Sequence, residues 1–311
     1  MSAVRTVLGD IPAAELGVCD AHDHLFFASP VLAGQELDDP AAAERELRSF
    51  RELGGRAVIQ WTPFGLRRRA DVLAETARRG GVHLVAATGL HQAAHYPPEL
   101  LARVRGRLAE LFVGELTHGL RRDEDPDGPA GPVRAGMIKV AGAFHGVDEH
   151  ARAVLIAAAE AHHATGAPIG VHLELGTAGP EVLELLCGDL EVPADRVILG
   201  HLNRSPDLRV QRALAEAGAF LAFDGPSRAN HATDWRLFDE LAALVAAGHA
   251  DQILLGGDTT TAAARASTGG GPGMPFLLRS LRPRLEADLG PAVVTKFFVD
   301  NPARAFAAEW R

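Results

Sequence analysis

His22 and His24 stand two residues apart in a short apolar run, and side chains two apart on a β-strand point to the same face. Two imidazoles so placed can hold one divalent metal ion. Asp20 would share that face and could orient the pair, while Cys19, Ala21 and Asp23 would take the other. A His-x-His pair is commonplace, so its weight rests on what else reaches the same place. Lys139, His172, His201 and Asp258 each lie at or near the end of another short apolar run. Taken singly, a strand-end histidine serves as a hydrogen-bonded cap, a lysine as an ion-pair partner and an aspartate as a helix cap. Taken together, His22, His24, Lys139, His172, His201 and Asp258 make a ligand set for two metal ions.

The chemistry of that set is specific. Neutral imidazoles and a carboxylate suit borderline divalent ions, zinc first, with manganese, cobalt and iron as alternatives. Two ions about 4 Å apart need a bridging anion, which an ammonium cannot be. A lysine desolvated beside dications has a depressed pKa, and its neutral amine can capture carbon dioxide as a carbamate, a carboxylate-like bridge. Carbamylated Lys139 would therefore bridge the two ions, and a hydroxide shared by both would be the nucleophile. Asp258 would take the hydroxide's proton and hand it to the leaving group, which makes Asp258 and Lys139 the candidate catalytic residues.

Elements that bring these residues together can be read from the pattern. Apolar runs recur at 18–24, 56–61, 83–89, 137–142, 168–173, 197–202, 219–224 and 252–258. Segments with apolar residues at three- and four-residue spacing lie between them, at 41–53, 71–79, 149–165, 179–186, 207–217 and 234–247. Several end in glycine, the usual left-handed C-cap. Strand then helix, eight times over, predicts an α/β fold, a (β/α)₈ TIM barrel, formed by residues 1–311 as one metal-dependent hydrolase domain. A doubly wound sheet would want a Gly-rich fingerprint after its first strand, and the sequence has none there. Residues 5–16 read as a short N-terminal β-hairpin under the barrel floor, and residues 97–122 leave room for an extra helix. In such barrels the active site lies at the C-terminal mouth, where all six candidate ligands would sit.

With those residues in view, the chain resembles the phosphotriesterase family of the amidohydrolase superfamily, in its phosphotriesterase-like lactonase branch. The resemblance runs through Asp20-Ala21-His22-Asp23-His24, the stretch around Lys139, Val171-His172-Leu173, Gly200-His201-Leu202-Asn203-Arg204, Asp224-Gly225 and Gly256-Gly257-Asp258. It implies that His22, His24 and Asp258 bind the buried metal, His172 and His201 the more exposed one, and carbamylated Lys139 both. It also implies a homodimer. Lactonases of the family place a tyrosine on the loop after the third strand; here His91 stands there, followed by Gln92, and the chain's one tyrosine, Tyr96, lies in the next turn. A branch that opens phosphorylated sugar lactones carries Lys and Arg where this chain has Asn230 and Thr261, so charge-assisted anchors for a dianionic phosphate are missing there. Arg228 and Arg265 remain as cationic candidates. His145 and His231, which follow the fourth and seventh strands, join His91, Gln92 and Arg228 as candidate substrate-binding residues. The glycine-rich stretch 269–273 lacks the Lys-Ser/Thr of a P-loop and reads as a flexible lid.

Bulk properties set the remaining bounds. The 311 residues carry a net charge of −9, and the longest basic cluster is Arg67-Arg68-Arg69, expected to be a solvated helix start. That argues against a nucleic-acid or anionic-membrane partner and leaves a small-molecule substrate. Two cysteines and no long apolar run predict a reduced, cytoplasmic protein. The function expected is a binuclear metal-dependent hydrolase attacking an ester-like carbonyl, first of all a non-phosphorylated or carboxylated lactone. Hydrolysis of phosphotriesters, phosphate esters or phosphorylated lactones is the alternative within that class. A metal-free binding protein on a barrel scaffold is the alternative outside it.

Overall fold

Eight parallel strands follow one another round a barrel in chain order. They are β3 (Cys19–Asp23), β4 (Ala57–Gln60), β5 (His83–Thr88), β6 (Met137–Ala141), β7 (Ile169–His172), β8 (Val197–Gly200), β9 (Phe220–Asp224) and β10 (Ile253–Gly256). Before them β1 (Ala3–Thr6) and β2 (Gly9–Pro12) form the expected hairpin, and β11 (Ala307–Ala308), which the pattern did not announce, adds to its edge. The computed structural model describes residues 2–122, 125–225 and 231–311, with only the backbone of 231 and 232.

Alternation decides what faces the axis. Ala57, Ile59 and Trp61, Val85 and Ala87, and Met137 point inward, where Val4 and Leu16 from the hairpin region join them. Their neighbours Val58, Leu84, Ala86 and Ile138 point outward to the helices. The helix expected at 149–165 is Glu149–Thr165, capped by the Asp148 carboxylate on the Ala151 N–H (2.7 Å). The room left at 97–122 holds two helices, Pro98–Val104 and Leu108–Thr117.

β3 departs from simple alternation. Its pairing with β4 runs Cys19↔Ala57, Asp20↔Val58, then Asp23↔Gln60, so three steps on β3 oppose two on β4. This bulge switches faces: Cys19 and Ala21 line the interior below it, and His22 and His24 turn toward the mouth above it. Asp20 therefore does not share the histidines' face as alternation predicts. It lies with Asp23 at the seam where β10 meets β3. There the Asp258 N–H donates to His22 O (2.8 Å) and the Gly257 N–H to Asp20 Oδ1 (3.1 Å). A Cβ on Gly256 would stand 2.7 Å from the His22 Cβ, so the seam closes only over glycine.

Three further expectations change. Arg68 is not solvated: it is fully buried in an ion pair with Glu115, which also accepts from Thr88 Oγ1 (2.6 Å). The stretch after β10 is not a loose lid. Glu46, buried on the helix Pro40–Glu52, accepts from the N–H groups of Ala266 (3.3 Å), Ser267 (2.8 Å) and Met274 (3.0 Å). A Cβ on Gly273 would fall 1.9 Å from Glu46 Oε1, so the loop closes down on that carboxylate. Arg265 is 1 % exposed and donates to the carbonyls of His24 (3.0 Å) and Leu25 (2.6 Å), which makes it an internal strut rather than a substrate cation.

Glu46→Ala would leave three inward-facing N–H groups without their charged acceptor. We expect a loss of about 2 kcal/mol or more in denaturant unfolding and new protease cleavage between residues 260 and 274; wild-type stability with an uncut loop would refute the clamp.

A second buried acid braces the turn after β8 from outside. Gln211 Nε2 donates to Leu202 O (3.1 Å) and to Glu240 Oε2 (3.2 Å). Burial pushes Glu240 up to about 7. Among the described residues, Gln211 Oε1 and Glu240 Oε1 are both buried without a hydrogen-bond partner, and a proton on Glu240 would supply a donor. The folded protein thus holds a proton that the unfolded chain, with the ordinary value of 4.5, releases earlier. Stability contributed by this site falls as pH rises from 4.5 to about 7. Glu240→Gln should flatten that part of the melting-temperature curve and raise the melting temperature above pH 7; an unaltered curve would place the titration elsewhere.

Candidate active site

The C-terminal mouth gathers His22, His24, Lys139, His172, His201 and Asp258; Lys139 comes from the middle of β6 and the others from the end of a strand or the residues just beyond it. Their surroundings fix which ring nitrogen of each histidine faces the centre. His22 Nδ1 donates to Asp224 Oδ2 (2.8 Å), and its ring stacks on Trp61 with centroids 3.8 Å apart. His24 Nδ1 meets Thr62 Oγ1 at 2.8 Å, and that hydroxyl gives its own proton to Phe26 O (2.7 Å). Thr62 can then only accept from His24, so Nδ1 carries the proton and Nε2 is bare. His201 Nδ1 donates to Asp224 Oδ1, and His172 Nε2 to Glu174 Oε2 (3.0 Å).

The inner nitrogens converge. His22 Nε2 and His24 Nε2 lie 3.6 and 3.5 Å from Asp258 Oδ1, and His201 Nε2 lies 2.7 Å from His172 Nδ1. Two lone pairs at that separation repel unless a cation stands with them. His22, His24 and Asp258 form one group able to hold a metal ion, with ligand atoms within 4.8 Å of one another; His22, His201 and Asp224 form a second. In the second, both Asp224 oxygens are already engaged by the outer edges of the two rings, so Asp224 orients the ligands.

Burial sets the protonation states. It lowers His24 to about 4 and, with His201 beside it, His172 to about 3, so both are neutral at ordinary pH. Burial also brings Lys139 down to about 7, against the Asp258 charge, so a substantial share of its amine is neutral. For Asp258 burial acts upward, but His201, His24, His22 and Arg204 outweigh it and hold the carboxyl well below its usual range. Asp20 is pushed well up by burial and by the Asp23 charge, which fits a pair of carboxyls sharing a proton beneath the seam.

The outer candidates divide. His91 is buried with its ring 4.6 Å from His172, its N–H given to Tyr96 Oη (2.8 Å) and its carbonyl taking a bond from His150 (2.8 Å). Gln92 reaches the site indirectly: its Nε2 donates to Gly142 O and Glu174 Oε2, both at 3.0 Å, so it steadies the carboxylate that orients His172. His145 is not brought in. It sits on an exposed turn with its ring against Phe144 and its N–H on Thr177 Oγ1 (2.9 Å). Arg228 falls outside the described residues, and His231 begins the helix His231–Asp234.

Strand-end reading missed Asp224, Glu174, Thr62 and Arg204. For Asp224 the signal was present: Phe220 and Ala222 face inward, and the next residue on that stripe is Asp224. Arg204, whose Nη2 donates to Asp258 Oδ2 (2.6 Å), and Glu174 stand beyond the strands, where no periodicity points to them.

Fold and site together define an eight-stranded barrel with a candidate two-metal centre at its mouth. The model of the phosphotriesterase family matches residues 2–306, and the chain belongs to that family. It is 33 % identical over 250 residues to the phospho-furanose lactonase of Mycoplasmopsis agalactiae, covering 76 % of this chain and 70 % of that one. Among solved structures, it is similar to a lactonase from Listeria monocytogenes, with a TM-score of 0.89 and 29 % identity over 98 % of this chain and 99 % of that one. It is also similar to the phosphotriesterase homology protein of Escherichia coli complexed with phosphate in its active site, with a TM-score of 0.84 and 29 % identity over 94 % and 99 % of the two chains.

Asp224→Ala removes the acceptor that orients two of the four imidazoles. Metal affinity should fall about 10- to 100-fold by titration against a chelating indicator, with far-ultraviolet circular dichroism unchanged. Wild-type affinity in the folded variant would remove Asp224 from the site.

Proposed function

We propose that the protein is a binuclear metal-dependent hydrolase that opens lactones. The observation that carries this reading is the arrangement of four imidazoles. Each has its outer nitrogen given to a carboxylate or hydroxyl and its inner nitrogen bare, beside a buried lysine and Asp258. A metal-free binding barrel has no use for four rings so capped. His22, His24 and Asp258 would hold one ion and His172 and His201 the other, zinc first, with manganese, cobalt or iron as alternatives. When bound, the pair supplies Lewis acidity toward an ester-like carbonyl and a water ionised near neutral pH.

The chain's own residues do the rest. The neutral amine of Lys139 would attack the carbon of CO2 and release one proton to solvent, leaving a carbamate anion that could serve as a ligand to both ions. Asp258 presents Oδ1 to the His22–His24 side, takes the proton of the attacking water and delivers it to the ring oxygen as the carbon–oxygen bond breaks. Trp61 and the interior below it keep solvent from the buried side. A lactone without phosphate, or with a carboxylate, is the substrate favoured by Asn230 and Thr261. Phosphorylated lactones are the second reading, favoured by the relative named phospho-furanose lactonase and by the phosphate in the related active site. No helix among the described residues is long and apolar enough to cross a membrane. A cytoplasmic location is proposed from composition alone.

A pH-indicator panel of plain, carboxylated and phosphorylated lactones and an aryl phosphotriester, run on zinc-, manganese- and cobalt-loaded protein, tests the reaction. Less than one metal equivalent per chain after reconstitution with bicarbonate, and no turnover, would favour the binding-protein alternative. Lys139→Ala should lose most turnover and regain part of it with short carboxylates such as formate or acetate. Full activity with both metals would contradict the carbamate. Asp258→Asn should lower kcat by about 100-fold or more with the fold intact; an unchanged rate would place the proton carrier elsewhere.

A further inference from the structure

Asp258 carries two tasks on one side chain, since its carboxylate must face the His22–His24 pair and also take the reacting proton, so its orientation has to be held. Torsion about χ2 of an aspartate is broad, and no rotamer well holds the plane of its carboxylate. Its neighbours must hold it. Oδ1 lies 3.6 Å from His22 Nε2 and 3.5 Å from His24 Nε2, and Oδ2 receives Nη2 of Arg204 at 2.6 Å. We propose that Arg204 is a positioning residue for Asp258, fixing the carboxylate so that Oδ1 points at the His22–His24 pair. This rests on the role given to Asp258 above.

An ion pair that merely ties two loops together would look similar at first sight, but here both loops are already tied. The turn Leu202–Arg204 is clamped by Asn203, whose Nδ2 donates to Asp224 O (3.1 Å) and whose Oδ1 accepts from the Asp224 N–H (3.2 Å). Gln211 holds the Leu202 carbonyl from outside. The segment after β10 is anchored by the Thr259 N–H on Asp23 Oδ1 (2.9 Å) and by Arg265 on the carbonyls of His24 and Leu25. Without the Arg204–Asp258 pair both loops stay in place, so what the pair adds is the orientation of the carboxylate.

Local geometry brings Arg204 there. His201 adopts a left-handed backbone (φ 65°), which turns the chain back over the mouth so that Arg204, three residues on, reaches the centre. Asp258 is left-handed too (φ 46°), and its side chain leans across β9 toward the turn after β8. The guanidinium sets one Nη2 donor on Oδ2, and with Oδ1 turned to the His22–His24 pair the contacts at the two oxygens together hold the carboxylate.

The test uses the cobalt-loaded protein, whose visible absorption reports metal geometry independently of turnover. In Arg204→Ala we expect the cobalt bands to change in position or intensity and kcat on a hydrolysed lactone to fall by about 100-fold, with KM within about twofold. Millimolar methylguanidinium should restore both readouts together, and methylammonium should not. If wild-type spectrum and kcat persist in Arg204→Ala, or if methylammonium restores as well as methylguanidinium, the inference is overturned. Should the alanine variant fail to fold, Arg204→Gln must show the same spectral and kinetic loss or the inference fails. If the wild-type cobalt protein opens no lactone, the substrate reading is wrong, and the spectra alone decide the role of Arg204.

Discussion

Asp224 is the point on which the site hangs. It closes the inward stripe of β9, fully buried, and accepts from His22 Nδ1, from His201 Nδ1 and from the His201 N–H (3.1 Å). One carboxylate thus couples β3, β8 and β9 and aims two imidazoles at the same centre. Taking an ionised carboxylate out of water costs several kcal/mol, offset only where its acceptor sites are filled with good geometry. The two histidines fill them and hold the group well below its ordinary range. The fold and the metal site therefore share a constraint: loosening either ring exposes a buried charge, and neutralising the charge releases both rings.

Strain gathers at the same place. His201 and Asp258 occupy the left-handed region, costing each about 1–2 kcal/mol relative to ordinary backbone. Neither would persist alone. The His201 turn is held by Asn203 on β9 and by the Gln211–Glu240 pair behind it. The Asp258 turn is held by Asp20 and Asp23, which take the N–H groups of Gly257 and Thr259. Those two carboxyls owe their placement to the bulge in β3. The same extra residue that turns His22 and His24 into the mouth sends Asp20 to the seam, so ligand placement and barrel closure come from one irregularity.

The sequence is legible where side-chain period and strand order suffice. Eight apolar runs became eight strands, and all six ligand candidates reached one rim, because a strand end in this fold has only one place to go. Period two failed at Asp20, where the bulge breaks it, and bulges follow from closure of the whole barrel rather than from a local pattern. Arg68 reads as solvated and Arg265 as a substrate cation, yet both are buried struts, because their partners Glu115, His24 and Leu25 lie far off in sequence or on the backbone. Gln92 and Glu174 work through His172, a relation between two loops that neither loop shows alone. Asp224 was within reach: it needed only the question asked of the other strands to be asked of the seventh.

Charge at the mouth bears on what the site can take. Arg204 is engaged by Asp258, Arg265 by two carbonyls under the floor, and Lys139 is brought toward neutrality by burial. Among the described residues, the cations nearest the centre are thus occupied in building it. A dianionic phosphate needs several charge-assisted donors at once, and Asn230 and Thr261 carry no charge. That agrees with the proposed substrate, gripped through its carbonyl and ring; Arg228 lies outside the described residues.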